Sequence, residues 1–144
     1  MKPGGAAEVR VKALDSWAVM AWLRDEPAAQ RIDDLWSDAA AGKLRLIISA
    51  INVGEIFYLA ARWRSRADAE LILRQLHEMP LDIRPAVNAL VWEAARLKAQ
   101  HRISFADAFA VATAVREGAP LVTGDPEMKG LADKGVVTLD WIRN

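Results

Sequence analysis

Short apolar runs alternate along this chain with longer segments in which apolar residues recur at helical spacing. Five runs are short and largely apolar, which favours buried β-strands; they span residues 9–14, 44–48, 81–83, 120–123 and 136–139. The periodic segments between them predict helices that begin near Ser16, Pro27, Ser49, residue 67, Pro85 and Ser104. Serine is a favoured N-cap, because its hydroxyl accepts a free backbone N–H of the first helical turn.

This alternation of strands and helices predicts the fold class. Strands separated by helices are joined by right-handed crossovers and form a parallel sheet. We therefore expect an α/β fold, a three-layer α/β/α sandwich with a short, mostly parallel central sheet of about five strands. The 144 residues are the length of one ordinary domain. We expect that domain to occupy residues 9–144, after a loose N-terminal leader over residues 1–8.

Composition supports a compact, helix-rich domain and excludes several kinds of site. Hydrophobic residues make up 53% of the chain, the mean hydropathy is +0.05, and 27 residues are alanine. The lack of cysteine excludes disulfides, thiolate nucleophiles and cysteine-bound zinc, and two histidines leave little scope for a histidine-rich metal site. No apolar stretch is long enough to cross a membrane, and the N-terminus lacks the apolar stretch of a signal peptide. We expect a cytoplasmic protein.

Net charge narrows the functional classes further. The chain has 19 basic and 19 acidic residues, a formal net charge of +0. Proteins that coat nucleic acid through electrostatic attraction alone usually carry a strong basic excess. Neutrality therefore argues against a nonspecific nucleic-acid-coating protein, but not against an enzyme whose positive charge arrives as bound metal ions.

Four acidic residues are predicted to meet at one edge of the sheet. Asp15 directly follows a predicted strand, Asp125 lies in the turn after another, and ligands of open parallel sheets bind beyond the carboxyl ends of strands. Glu55 and Asp107 fall in the early turns of helices that start at the same edge. Four carboxylates from four separate segments are therefore expected to face one cleft.

Each of these acids also has an ordinary structural explanation. Asp107 is the third residue after Ser104, which matches a capping box. Asp125 lies in a Gly-Asp-Pro turn, and Glu55 alone would be read as an exposed helical residue. Asp15 is the hardest to explain this way, because the run before it should be buried. The coincidence of all four at one edge is what favours a functional site.

Clustered carboxylates need a counter-charge. Two carboxylates about 5 Å apart repel by roughly 3 kcal/mol at an effective dielectric constant near 20. Mg²⁺ and Mn²⁺ prefer oxygen ligands and bridge to phosphate oxygens, and such ions also lower the pKa of bound water. A carboxylate site without cysteine and with almost no histidine therefore points to metal-assisted phosphodiester hydrolysis.

Four segments carry a resemblance to a known family. They are Leu14-Asp15-Ser16, the run Ile-Ser-Ala-Ile-Asn-Val-Gly-Glu ending at Glu55, Ile-Ser-Phe-Ala-Asp-Ala around Asp107, and Leu-Val-Thr-Gly-Asp ending at Asp125. In order and spacing they resemble the PIN-domain ribonucleases, and in particular the VapC-type toxins of bacterial and archaeal type II toxin–antitoxin systems. The resemblance runs from about Val9 over nearly the whole chain.

The resemblance implies a site and an activity. It implies a PIN-like fold and a metal-dependent endoribonuclease that hydrolyses RNA with metal-activated water. The family's catalytic and metal-binding acids, which hold Mg²⁺ or Mn²⁺, correspond to Asp15, Glu55, Asp107 and Asp125. Its supporting hydroxyl positions correspond to Ser16 and Thr123. Glu127 is interpreted as an exposed helix-start residue, with assistance to the metal as the alternative.

The same resemblance implies partners. It implies single-stranded or looped RNA as the substrate, a homodimer, and inhibition by a cognate antitoxin protein, with no membrane association. Two residues depart from the family pattern: Trp17 is bulky where a smaller residue is expected, and Met128 stands where many relatives have an aromatic residue. Neither departure removes one of the four acids, although Trp17 is expected to narrow the site or alter metal access.

Arg62, Arg64 and Arg66 form the densest basic stretch, with Trp63 among them. Such a stretch is suited to binding RNA phosphates and stacking a base. The alternative is a solvated helix end, where cations complement the helix dipole, and this interpretation is favoured.

A non-catalytic PIN-like module that only binds RNA or a partner is the alternative function. A complete set of four acids argues against it. The sequence also argues against a receiver-type phosphoacceptor domain, because no aspartate ends the second predicted strand at residues 44–48. An Asp-x-Asp phosphatase is excluded too, since Trp17 occupies the second aspartate position.

Overall fold

A computed structural model describes residues 9–143. Within that range five strands form one sheet: β1 (Arg10–Leu14), β2 (Leu44–Ser49), β3 (Asp82–Arg84), β4 (Leu121–Thr123) and β5 (Leu139–Trp141). Seven α-helices accompany them: α1 (Ser16–Leu23), α2 (Ala29–Ala40), α3 (Ala50–Trp63), α4 (Arg66–Glu78), α5 (Asn88–Gln100), α6 (Phe105–Arg116) and α7 (Lys129–Asp133). The predicted α/β fold is confirmed.

The sheet has the strand order β3-β2-β1-β4-β5, and all four neighbouring pairs are parallel. The chain moves from β1 to β2 on one side, and it later enters β4 on the other side of β1. The carboxyl ends of β1 and β4 therefore flank the topological switch point, where parallel α/β sheets bind their ligands.

Two apolar cores cover the two faces of the sheet. Successive strand residues point to opposite faces, and β2 follows this rule: Leu46 and Ile48 pack into the core formed with helices α1 to α4, whereas Ile47 packs into the core of α5, α6 and α7. All three side chains are at most 2% exposed. This arrangement is the predicted three-layer sandwich.

Several element boundaries differ from the prediction. Asp15, not Ser16, is the N-cap of α1, because the Asp15 carboxylate accepts the Ala18 N–H while Ser16 is already helical. A hydrogen-bonded turn from Glu26 to Ala29 delays α2 by two residues relative to the predicted start.

Two later elements begin three residues beyond their predicted starts. Helix α5 begins at Asn88 rather than Pro85, since Val87 is extended and its N–H bonds the Pro85 carbonyl. Strand β5 covers Leu139–Trp141 rather than residues 136–139, because Leu139 is the residue paired with Leu121 of β4.

Among the helices of residues 9–143, none combines the length and the apolar character needed to cross a bilayer. The predicted leader, residues 1–8, lies outside the described residues.

Candidate active site

A chain of hydrogen bonds spans the switch point between β1 and β4. Asp15 is 1% exposed. One of its carboxylate oxygens accepts the Ala18 N–H at 2.9 Å, and the other accepts the Thr123 hydroxyl. The Thr123 oxygen in turn accepts the Asp125 N–H at 3.0 Å. Thr123 therefore ties the acid that follows β1 to the acid that follows β4.

Three carboxylates come together above this chain. Asp107, Asp125 and Glu127 each offer an oxygen atom, and these atoms lie within 4.8 Å of one another. Local capping fixes two of them: the Asp107 N–H donates to Ser104 Oγ at 3.0 Å, and the Glu127 N–H donates to Asp125 Oδ1 at 3.0 Å. The Ser104 half of the predicted capping box is thus present, and the Asp107 carboxylate belongs to the cluster.

These carboxylates line a cleft of about 320 Å³, which we name the acidic cleft. Its wall contains acidic residues, two serines, apolar residues, one tryptophan and one arginine: Ser16, Trp17, Met20, Ala21, Arg24, Glu26, Glu55, Leu59, Ser104, Asp107, Asp125 and Glu127. Glu55 reaches the cleft from α3 and lies 3.5 Å from the Tyr58 hydroxyl. Asp15 is buried beneath the cleft rather than lining it.

The predicted set and the geometric cluster therefore share two members and differ in three. All four predicted acids lie at one sheet edge, but the three-carboxylate cluster contains Glu127 in place of Asp15 and Glu55. Glu127 is exposed at the start of a 3₁₀ turn, as expected, and it also completes the cluster. Its signal in the sequence was its position two residues after Asp125.

Burial and mutual repulsion perturb two of the acids. Burial raises the pKa of Asp15 to about 7, and the charges of Asp107 and Asp125 add to the rise against the hydrogen bonds from Thr123 and Ala18. Burial also raises the pKa of Asp107 to about 6, with further contributions from Asp125 and Glu55. Clustered, partly desolvated carboxylates of this kind are characteristic of functional sites.

Hard divalent cations suit this donor set. Carboxylate oxygens are the ligands that Mg²⁺ and Mn²⁺ prefer, and three of them within 4.8 Å can share one ion. A cation would also offset the repulsion that raises the pKa of Asp107. The residues present therefore fit a divalent metal.

Asn52 is a site residue that sequence reasoning missed. It is fully buried in α3. Its side-chain amide donates to the Ala106 carbonyl at 3.0 Å, and its backbone carbonyl accepts the Ser16 hydroxyl at 3.2 Å. It thereby links α1, α3 and α6 directly beside the residues that precede Asp107 and follow Asp15. Nothing in the local spacing of the sequence marks this role.

The basic stretch at the end of α3 stands apart from the acids. Arg62, Arg64 and Arg66 are exposed, and within residues 9–143 the wall of the acidic cleft includes none of them. Arg62 lies over the Tyr58 ring and Arg64 over the Trp63 ring. Arg24, which was not singled out from the sequence, lines the acidic cleft and also contacts the Trp63 ring, 5.4 Å from its centroid.

Trp17 packs closely against the backbone at Gly124. A Cβ atom at Gly124 would lie 2.3 Å from Cη2 of Trp17 and 2.8 Å from Cβ of Arg143, closer than real contacts allow. Gly124 therefore makes room for the indole beside Asp125.

We expect Gly124→Ala to destabilise the protein by about 1–3 kcal/mol, because the new methyl group forces the indole and the Arg143 segment apart. Gly54→Ala is the matched control, since nothing lies within 4 Å of a Cβ at that helical position. It should be neutral or stabilising by up to about 1 kcal/mol. Urea unfolding of both variants tests this, and equal stabilities would contradict the close packing.

Comparison with known proteins assigns the family. The chain belongs to the PIN domain family, whose model matches residues 12–134. No curated protein matches the sequence significantly.

Solved structures share the fold. The chain is similar to VapBC2 from Rickettsia felis, solved bound to a DNA fragment from its promoter, at 16% identity and a TM-score of 0.69, over 92% of this chain and 99% of that one. It is similar to VapC20 of Mycobacterium tuberculosis, described as a sarcin-ricin loop cleaving toxin, at 17% identity and a TM-score of 0.66, over 83% and 93%. A toxin–antitoxin complex from Klebsiella pneumoniae matches at 16% identity and a TM-score of 0.65, over 92% and 99%.

Proposed function

We propose that this protein is a metal-dependent endoribonuclease and the toxin of a toxin–antitoxin pair. One observation carries the proposal: Asp107, Asp125 and Glu127 converge above a buried acid at the switch point of a PIN-type sheet. The toxin–antitoxin proteins among the structural neighbours support the biological setting, and the sarcin-ricin loop cleaving toxin supports RNA as the substrate class. The cognate antitoxin and a second copy of the chain are the proposed protein partners.

The acids in and below the cleft have different proposed roles. Asp107, Asp125 and Glu127 would hold Mg²⁺ or Mn²⁺, which when bound neutralises phosphate charge and lowers the pKa of a water molecule. Glu55, on the α3 wall of the cleft, is placed to accept a proton from water or to bind water near the phosphate. Asp15 acts from below, because both of its oxygens hold backbone and hydroxyl donors that orient the ends of β1 and β4.

Electrostatics make this site dependent on cations. The acids of the cleft repel an RNA phosphate, and the chain as a whole offers no excess positive charge, with 19 basic and 19 acidic residues. Arg24 is the basic side chain in the cleft wall and is suited to hold a neighbouring phosphate. RNA should therefore enter productively only when divalent ions are present.

Cleavage of labelled RNA by the purified protein tests the proposal. We expect single-stranded or looped RNA to be cut with Mg²⁺ or Mn²⁺ present, with loss of cleavage in EDTA and recovery on adding excess metal. Undiminished cleavage in EDTA would contradict metal dependence. Metal-dependent RNA binding without any cleavage would instead identify a non-catalytic PIN module.

A further inference from the structure

Trp17 and Glu26 line two neighbouring cavities at the carboxyl edge of the sheet. One of them is the acidic cleft. The other, a cavity of about 360 Å³ which we name the side pocket, is lined by Trp17, Glu26, Pro27, Ala28 and Arg143. Trp17 is partly exposed and contributes to both walls, so its indole faces both spaces.

The indole is held in a fixed place relative to the acids. Its ring atoms lie against Gly124, where a Cβ would come within 2.5 Å of Cζ3 of Trp17, and Gly124 directly precedes Asp125. At the other end, Trp17 follows Asp15 and Ser16 in the first turn of α1. An aromatic ring is therefore fixed beside the backbone of two site acids.

Arg143 supplies a cation at the same place. The Ile142 N–H donates to the Thr123 carbonyl at 3.1 Å, which holds the segment after β5 against β4. The next residue, Arg143, is exposed, and its guanidinium carbon lies 6.0 Å from the centre of the Trp17 ring. A positive charge and an aromatic surface therefore share one side pocket next to the acidic cleft.

We propose that Trp17 and Arg143 form a nucleotide subsite for single-stranded RNA. The indole stacks on a base adjoining the scissile phosphate, and the guanidinium binds the phosphate of that nucleotide in the side pocket. Aromatic side chains stack on unpaired bases, and arginine forms bidentate hydrogen bonds with phosphate. This subsite rests on the proposed ribonuclease function.

Glu26 limits how the nucleotide lies in the side pocket. Its carboxylate is part of the side-pocket wall and repels phosphate. The phosphate is therefore assigned to the Arg143 side of the side pocket, and the base, which carries no negative charge, to the side nearer Glu26. Trp17 stands where a smaller residue is expected in such proteins. The subsite therefore gives this chain a substrate preference of its own.

Abasic RNA tests the subsite. Oligonucleotides with a mapped cleavage site are compared with versions in which the nucleotide on either side of that site lacks its base. The variants are Trp17→Leu, Trp17→Phe and Arg143→Gln, with Arg10→Gln as the charge-matched control at the opposite end of β1. KM and kcat are measured for cleavage, and fluorescence anisotropy measures binding in a Glu55→Gln background, which slows cleavage and leaves the three-carboxylate cluster intact.

Trp17→Leu and Arg143→Gln should each raise KM and the dissociation constant for intact RNA on the order of tenfold, with kcat little changed. Trp17→Phe should retain most of the affinity, Arg10→Gln all of it. Removing the base at one of the two positions should weaken RNA binding by the wild-type protein and leave binding by Trp17→Leu unchanged. Equal affinity of wild type and variants, or equal affinity of wild type for intact and abasic RNA, would overturn the subsite.

The ribonuclease function and the nucleotide subsite are refuted by different results. A wild-type protein that cuts no RNA with Mg²⁺ or Mn²⁺ refutes the ribonuclease, while the affinity of intact RNA for wild type and for the Arg143→Gln variant still reports on the subsite. A wild-type protein that neither cuts nor binds RNA refutes both. Because Arg143 is exposed, Arg143→Gln tests the subsite even where a Trp17 variant unfolds, which circular dichroism detects.

Discussion

Asp107→Asn should reduce RNA cleavage by at least about 100-fold, because it removes a charged oxygen from the three-carboxylate cluster. Asp125→Asn should have a similar effect. The substitution leaves the Ser104 cap intact, since that hydrogen bond is made by the backbone N–H of residue 107. Initial rates of cleavage at saturating Mn²⁺ measure the effect.

The matched control is Asp133→Asn, which removes one charge from an exposed position of α7. It should cleave RNA at the wild-type rate. Wild-type cleavage by Asp107→Asn, with Asp133→Asn behaving identically, would refute the assignment of the cluster.

Glu127 and Glu55 make separable contributions in this account. Glu127→Gln should raise the Mn²⁺ concentration needed for half-maximal cleavage, because Glu127 belongs to the three-carboxylate cluster. Glu55→Gln should lower the rate at saturating Mn²⁺ with a smaller effect on that concentration, since Glu55 lines the cleft without belonging to the three-carboxylate cluster. The reverse pattern would make Glu55 the metal ligand.

The metal-free protein should lose stability as the pH rises from about 4 to about 7. The pKa of Asp15 rises from 3.8 to about 7 in the folded state, so folding favours its protonated form. Stability from such a group is fully present below the unfolded pKa and is lost as the pH passes through the folded pKa. Asp107, with a pKa of about 6, contributes in the same direction, less strongly because it is partly exposed.

The combined loss is on the order of 4 kcal/mol, which corresponds to a Tm on the order of 10 °C lower at pH 8 than at pH 5 in EDTA. Mn²⁺ should raise the Tm more at pH 8 than at pH 5, because it binds the ionised carboxylates. Thermal melts followed by circular dichroism measure both effects.

Asp15→Asn is the diagnostic variant for the pH effect. Asparagine keeps the N-cap to Ala18 but cannot ionise. Its Tm in EDTA should change much less between pH 5 and pH 8. A wild-type protein whose stability rises over this range would contradict the assignment of Asp15 as a buried acid with a raised pKa.

The layers of the fold could be predicted because they follow from local patterns. The run at residues 44–48 is short and apolar, so a buried parallel strand was expected, and Ser49 caps the helix after it as predicted. The boundaries that were wrong depend on distant partners. Strand β5 begins at Leu139 because that residue pairs with Leu121, a contact that no local pattern reveals.

The edge of the site was predictable, but its internal arrangement was not. Asp15 and Asp125 could be placed because each lies within two residues of the end of a predicted strand. Asn52 was missed because its role arises from a bond to the Ala106 carbonyl, 54 residues away in the chain. The hydrogen bond from the Thr123 hydroxyl to Asp15 likewise joins residues 108 positions apart in the chain.

Calorimetric titration of Mn²⁺, with RNA cleavage measured on the same samples, tests the central claim most directly. The wild-type protein should bind Mn²⁺ and cut RNA over the same range of metal concentration, and Asp107→Asn should lose both properties together. Equal Mn²⁺ binding by the two proteins, or cleavage by wild type that does not follow metal occupancy, would contradict the account.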